Sequence, residues 1–139
     1  LFSSKAKPKN ITDQNTTTPQ KQSPMFELTL KKEGVTATAM LDDGEFVVQQ
    51  GSLARGEYIG ERSDKYSYWK QYDKLVEQGV LADKGNHKVF TVSYGFSSTS
   101  AAGAVCNGRS TNGLTAWKVK ETGQTYKEWE AASLADVNP

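Results

Sequence analysis

Apolar and polar residues alternate twice in quick succession soon after residue 25. Phe26, Leu28 and Leu30 are separated by polar positions, and Val35, Ala37, Ala39 and Leu41 repeat the pattern after Lys32-Glu33-Gly34. A period of two marks a strand with one buried face, so two strands joined by a turn are predicted. Asp42-Asp43-Gly44 supplies a second hairpin turn and Phe46-Val47-Val48 a third strand. Residues 51–63, broken by Gly51, Gly56 and Gly60, read as loop. The period then turns helical. Tyr68, Tyr72, Leu75 and Val76 give a core face to a helix from about Asp64 to Gln78, capped by Ser63 and stopped by Gly79.

Beyond it, Val80-Leu81 is a short extended piece, Asp83-Lys84-Gly85-Asn86 a turn, and Lys88 to Ser93 a strand. Residues Phe96 to Lys118 then organise the chain as helix, turn and strand. Ser98 is the expected N-cap of a helix from Thr99 to about Asn107, whose Ala101, Ala102, Ala104 and Val105 allow close packing on a sheet. Gly108 provides the left-handed stop. Asn112-Gly113 is a tight-turn signal, and Leu114 to Val119 has strand composition with Trp117 as anchor. Thr125 and Glu128 stand at capping-box spacing before a last helix through Ala132, with Trp129 packing it onto the body. The predicted class is α+β: a mostly antiparallel sheet of about five strands with three short helices packed on it.

Residues 1–24 interrupt nothing and contribute no pattern. They are polar, with Pro8, Pro19 and Pro24, and cannot bury enough apolar surface to offset ordering. A disordered linker over 1–24 and a single α+β accessory domain over 25–139 are expected. The chain does not start with Met, so it reads as a piece of a longer protein. Overall charge is nearly balanced, with 17 basic and 16 acidic residues. Four of those lysines lie within 1–24 against Asp13 alone, which leaves the folded part slightly acidic. That excludes a strongly electrostatic DNA binder but not a locally basic face.

Candidate chemistry is sparse. With Cys106 and His87 each the sole residue of its kind, no four-ligand Cys/His zinc site and no intrachain disulfide can form. Asp42-Asp43 reads as a hairpin turn, His87 as a solvated turn residue, and Cys106 as a small packing residue. Neither a P-loop nor a dinucleotide fingerprint occurs, so no cofactor is expected. No apolar run is long enough to span a membrane. A monomer in a reducing cytoplasm fits these features. What remains is the helix start ringed by Ser97, Ser98, Thr99 and Ser100, followed by Arg109, Ser110, Asn112 and Lys118. Ordinary capping explains the serines; a phosphate cradle on the positive end of the helix, with Arg109 and Lys118 supplying charge, is the functional alternative.

Phe96-Ser-Ser-Thr-Ser-Ala-Ala-Gly-Ala-Val, Asn107-Gly-Arg-Ser-Thr-Asn-Gly113 and Trp117-Lys118 closely resemble a family of unknown function. Its members typically lie at the C-terminal end of GIY-YIG nuclease-like proteins and of some restriction-associated proteins. Gly44-Glu-Phe-Val-Val48 leading to Gly51-Ser52, and Leu75 to Leu81, match in the same order. The central motif is also similar to that of the RAMA domain, a module associated with restriction enzymes and adenine methylases. Thr99 stands where the family usually has Pro, and Gly103 where it usually has Ala. The resemblance implies a DNA-linked role: a non-catalytic accessory domain binding DNA weakly, with modified DNA among its suggested targets, beside an upstream catalytic domain. The alternative is a protein-interaction or regulatory module contacting that upstream domain.

Overall fold

The computed structural model describes residues 23–62 and 67–137, with side chains to residue 134. Of the linker expected over residues 1–24, residues 1–22 lie outside the described residues, as does the Ser63 cap. Ser23 already touches the fold, its hydroxyl accepting from the Leu41 amide at 2.9 Å.

The predicted meander forms. Strands β1 (Phe26–Leu30), β2 (Val35–Asp42) and β3 (Glu45–Val48) pair antiparallel, with Phe26 opposite Ala39 and Ala39 opposite Val48. Asp43 and Gly44, at φ 53° and 83°, make the two-residue hairpin whose twist suits the strands it joins. A single 3-10 turn at Lys31–Glu33 ends in left-handed Gly34 and links β1 to β2.

Two strands appear that the sequence pattern did not predict. β4 (Leu53–Arg55) lies within the glycine-broken stretch, and β7 (Tyr94–Phe96) closes the sheet beside β3. Each has three residues, too few for a period to declare itself. β5 (Leu81–Lys84) and β6 (His87–Phe90) complete a smaller sheet ordered β4-β6-β5, while the larger runs β7-β3-β2-β1-β8 with β8 at Lys118–Val119. His87 is therefore a strand residue, and its Nε2 lies 2.6 Å from the Glu33 carbonyl oxygen. The fold is α+β, with eight strands in two antiparallel sheets among the described residues.

Helix α1 (Tyr68–Glu77) ends as its sequence predicts. The Gly79 amide donates to Val76 and the Val80 amide to Leu75, the paired bonds of a Schellman stop. Its buried residues are Tyr72 and Leu75, whereas Val76 is 38 % exposed and faces away from the core. At its start Ser67 adopts a left-handed φ of 58° and makes no side-chain cap bond.

Helix α2 (Thr99–Asn107) is the centre of the molecule. Ser98 Oγ accepts from the Ala101 amide at 3.0 Å, and left-handed Gly108 returns its amide to Ala104 at 2.8 Å. Residues Ala101 to Cys106 are all buried, so this helix is covered on every side rather than along one stripe. It touches β3, β4, β7, α1 and the short helix α3 (Gly113–Ala116). Helix α4 (Tyr126–Val137) carries the capping box: Thr125 and Glu128 exchange bonds of 2.9 and 3.1 Å. It extends past the predicted end at Ala132.

One expectation is corrected at the heart of the chain. Asn112-Gly113 is not a hairpin turn and Leu114 to Val119 is not one strand. Asn112 caps α3 by accepting from the Leu114 amide at 3.1 Å, and the strand is only Lys118–Val119. Gly113 lies directly over the Thr99–Ser100 peptide, where a Cβ would overlap the Thr99 carbonyl. The glycine therefore serves close approach of α3 to α2, a use that a local turn signal cannot distinguish. Gly103 has a similar reason, since a Cβ there would press on Thr111 at 3.2 Å and Trp117 at 3.4 Å.

The core is aromatic around Trp117, which is fully buried and donates from Nε1 to the Thr99 carbonyl at 3.1 Å. Phe46 meets its ring at 5.0 Å, and Phe26, Tyr126 and half-buried Trp129 continue the cluster. Offset and edge contacts of this kind add to area burial.

Candidate nucleic-acid interface

Helix α2, packed among both sheets, holds its first turn rigidly at the surface. Ser97 and Ser98 are exposed, Thr99 and Ser100 half-buried. The Ser98 hydroxyl accepts from Ala101, the Ser100 hydroxyl accepts from the Gly113 amide at 2.9 Å, and the Thr99 carbonyl takes the Trp117 indole. Each of these bonds is internal to the fold, and α3 covers one side of the turn.

After Gly108 the chain emerges through Arg109, Ser110, Thr111 and Asn112. Here the structure joins segments that sequence order alone leaves apart. Ser100, Ser110 and Asn112 line one cleft of about 360 Å³ together with Thr111 and with Tyr68 from the first turn of α1. That size falls within the range of small-ligand sites, about 300–1,000 Å³. Thr111 is held fast, accepting from Asn107 Nδ2 at 3.0 Å and donating to the Arg109 carbonyl at 2.8 Å. Ser110 lies near the Tyr58 phenol, whose pKa burial pushes up while the serine hydroxyl and the nearby Arg62 charge act the other way. The Arg62 guanidinium stands 5.9 Å from the Tyr58 ring and 5.2 Å from the Trp69 ring, paired with Asp73 at 2.9 Å.

Ser97, Ser98, Thr99, Arg109 and Lys118 do not line the cleft. Arg109 is exposed beside Ser110, its backbone packed against Gly60. Lys118 is exposed on β8, paired with Glu27 of β1 and bridged to Thr125. Sequence reasoning missed Tyr68 as a site residue because its spacing with Tyr72 assigned it to the core. It also passed over Thr111, although the polar run containing it was singled out.

A second cleft, of about 340 Å³, lies around Arg55, Glu57, Asp83, His87 and Lys88. Its cations are engaged. Arg55 donates to the Asn107 carbonyl at 2.5 Å and to Asn107 Oδ1 at 3.2 Å, and pairs with Glu33 at 3.3 Å. Lys88 Nζ binds Asp83 at 2.6 Å and the Gly56 carbonyl at 3.0 Å.

Among the described residues, no group of three or more His, Cys, Asp and Glu could hold a metal ion. Cys106 is wholly buried, and burial pushes its thiol well above the usual range, away from the thiolate a nucleophile needs. No helix among these residues is long and apolar enough to cross a membrane.

Fold and site together define a small α+β domain built around one enclosed helix, with a hydroxyl- and amide-lined cleft at that helix's exposed end. The chain belongs to the family described as Domain of unknown function (DUF4357), whose model matches residues 27–130. No curated protein and no solved structure matches it.

Proposed function

We propose that this domain is a non-enzymatic accessory module that contacts DNA weakly through the 96–118 segment. Its catalytic partner is a GIY-YIG nuclease-like or restriction-associated domain upstream in the same polypeptide, and its compartment the cytoplasm, in keeping with the sequence likeness to RAMA modules. The observation that carries the reading is the convergence of Ser100, Ser110 and Asn112 on one cleft, next to exposed Arg109. A rigid helix end that gathers neutral hydrogen-bonding groups beside a cation suits a contact with few phosphates. The near balance of 17 basic and 16 acidic residues limits affinity and makes its salt dependence shallow. Docking onto the upstream domain is the second reading. It is favoured by exposed Leu114 and Leu134, on the touching helices α3 and α4.

The test is Arg109→Ala, measured by fluorescence anisotropy with short duplexes, plain and adenine-methylated. Arg109 has an exposed side chain, so the fold is expected to survive while affinity falls by roughly 1–3 kcal/mol. Unchanged affinity would remove Arg109 from the interface. No measurable binding by the unaltered chain would replace the DNA reading with the docking one.

A further inference from the structure

We propose that Thr111 is the positioning residue of the candidate interface. Its hydroxyl bridges Asn107, at the end of α2, to the Arg109 carbonyl, and so holds the Arg109 guanidinium where a DNA phosphate can meet it. This rests on the reading of the domain as a weak DNA-binding module and names what fits a single cation for that contact.

The chain has three arginines. Arg55 pairs with Glu33 and Arg62 with Asp73, whereas Arg109 is exposed and forms no ion pair among the described residues. An arginine on a slack loop would lose much of a phosphate contact's free energy to ordering. This one is anchored. Its amide donates to the Ala104 carbonyl at 3.2 Å, the same oxygen that takes the Gly108 amide. The Gly108 carbonyl just before it accepts from the Ile59 and Gly60 amides at 2.7 and 2.9 Å, and a Cβ on Gly60 would stand 2.8 Å from the Arg109 Cα. On the C-terminal side the restraint is the Thr111 hydroxyl, which donates to the Arg109 carbonyl at 2.8 Å.

The direction of these bonds is fixed by valence. A carbonyl can only accept, so the one hydroxyl hydrogen of Thr111 goes to Arg109. Thr111 Oγ1 must then accept from Asn107, which sets the Nδ2 end of that amide 3.0 Å away. The second lone pair of Oγ1 plays no part. Asn107 is the last residue of α2, the enclosed helix, so the bridge ties the far side of Arg109 to the most tightly held element of the fold. Without the hydroxyl, Arg109 keeps its anchors on Ala104 and Gly60, but its carbonyl is free to turn at Ser110 and the guanidinium with it.

The test is a double-mutant cycle, read by fluorescence anisotropy of the full chain with a short DNA duplex at low salt. Each variant is compared at a temperature where circular dichroism shows it folded. Thr111→Val keeps the branched shape and the methyl that faces Gly103, and removes the hydroxyl. It is expected to weaken binding about fivefold, whereas Thr111→Ser, which retains the hydroxyl, should bind like the unaltered chain. In an Arg109→Ala background Thr111→Val should change nothing further, because the residue it positions is gone. A purely structural role would lower affinity by the same factor in both backgrounds. That result, or undiminished binding by Thr111→Val, would overturn the positioning role and leave DNA contact standing. Failure of the unaltered chain to bind the duplex would remove the DNA reading, and this role with it.

Discussion

Around Arg55 and Lys88 the chain turns its charges inward; around Ser100 and Asn112 it leaves uncharged donors facing out. The two clefts have similar volumes, about 340 and 360 Å³. In the first, Arg55 ties β4 to the C-terminal end of α2 and to the turn after β1, and Lys88 ties β6 to β5 and to Gly56. Every cation there completes the fold, so little is left for a ligand. In the second, backbone amides of Gly113 and Leu114 use the acceptors of Ser100 and Asn112 and leave their hydrogens. Volume alone would rank the two alike. Counting which donors and acceptors are already occupied separates a structural clasp from a candidate binding surface.

The sharpest way to break the comparison is Gly113→Ala. Its Cβ would overlap the Thr99–Ser100 peptide and push α3 off α2. A stability loss of about 3 kcal/mol is expected in urea unfolding, because neither backbone can yield cheaply. Nucleic-acid binding should fall with it, since Ser100 and Asn112 would separate. Arg55→Ala should act on the other cleft alone. Removing three partners of a mostly buried guanidinium is expected to cost about 2 kcal/mol of stability. Affinity for DNA, measured where the variant is still folded, should stay unchanged.

A smaller effect separates the regions by pH. Burial raises the phenol pKa of Tyr58 beside the candidate site and of Tyr72, which donates to the Arg55 carbonyl at 2.5 Å. It also raises those of Tyr94 and Tyr126, and the Cys106 thiol. Unfolded, these groups lose protons near their ordinary values of 10.0 for tyrosine and 9.0 for cysteine. The folded state keeps them, so above those values the unfolded chain binds fewer protons and stability falls as pH rises. Urea midpoints should show no contribution from these groups at neutral pH and a decline through pH 10. Tyr72→Phe should flatten part of that decline.

Much of the fold was legible from local patterns. The alternation of Phe26 to Leu41, the Asp43-Gly44 turn, the Ser98 cap, the Gly108 stop and the Thr125–Glu128 box each act over a few residues and formed as read. What stayed hidden depends on distant packing. β4 and β7 are three-residue strands defined by their partners rather than by any period. Val76 has helical spacing with Tyr72 yet lies 38 % exposed, because α1 rests on α2 along a narrower stripe than the spacing implied. Gly113 carried a turn signal for a position whose smallness answers to Thr99, fourteen residues earlier in the chain. The site was legible in part. Ser100, Ser110 and Asn112 were singled out and lie together, while Tyr68 reaches them only through the packing of α1 on α2.

The most direct measurement is an NMR titration with DNA at low salt, following backbone amides at both clefts in one experiment. Amides within 97–118 should shift in a concentration-dependent way, together with Tyr68, while those of 53–57 and 83–88 stay in place. Shifts confined to the Arg55–Lys88 region, or none at 97–118 while DNA binds, would contradict the account.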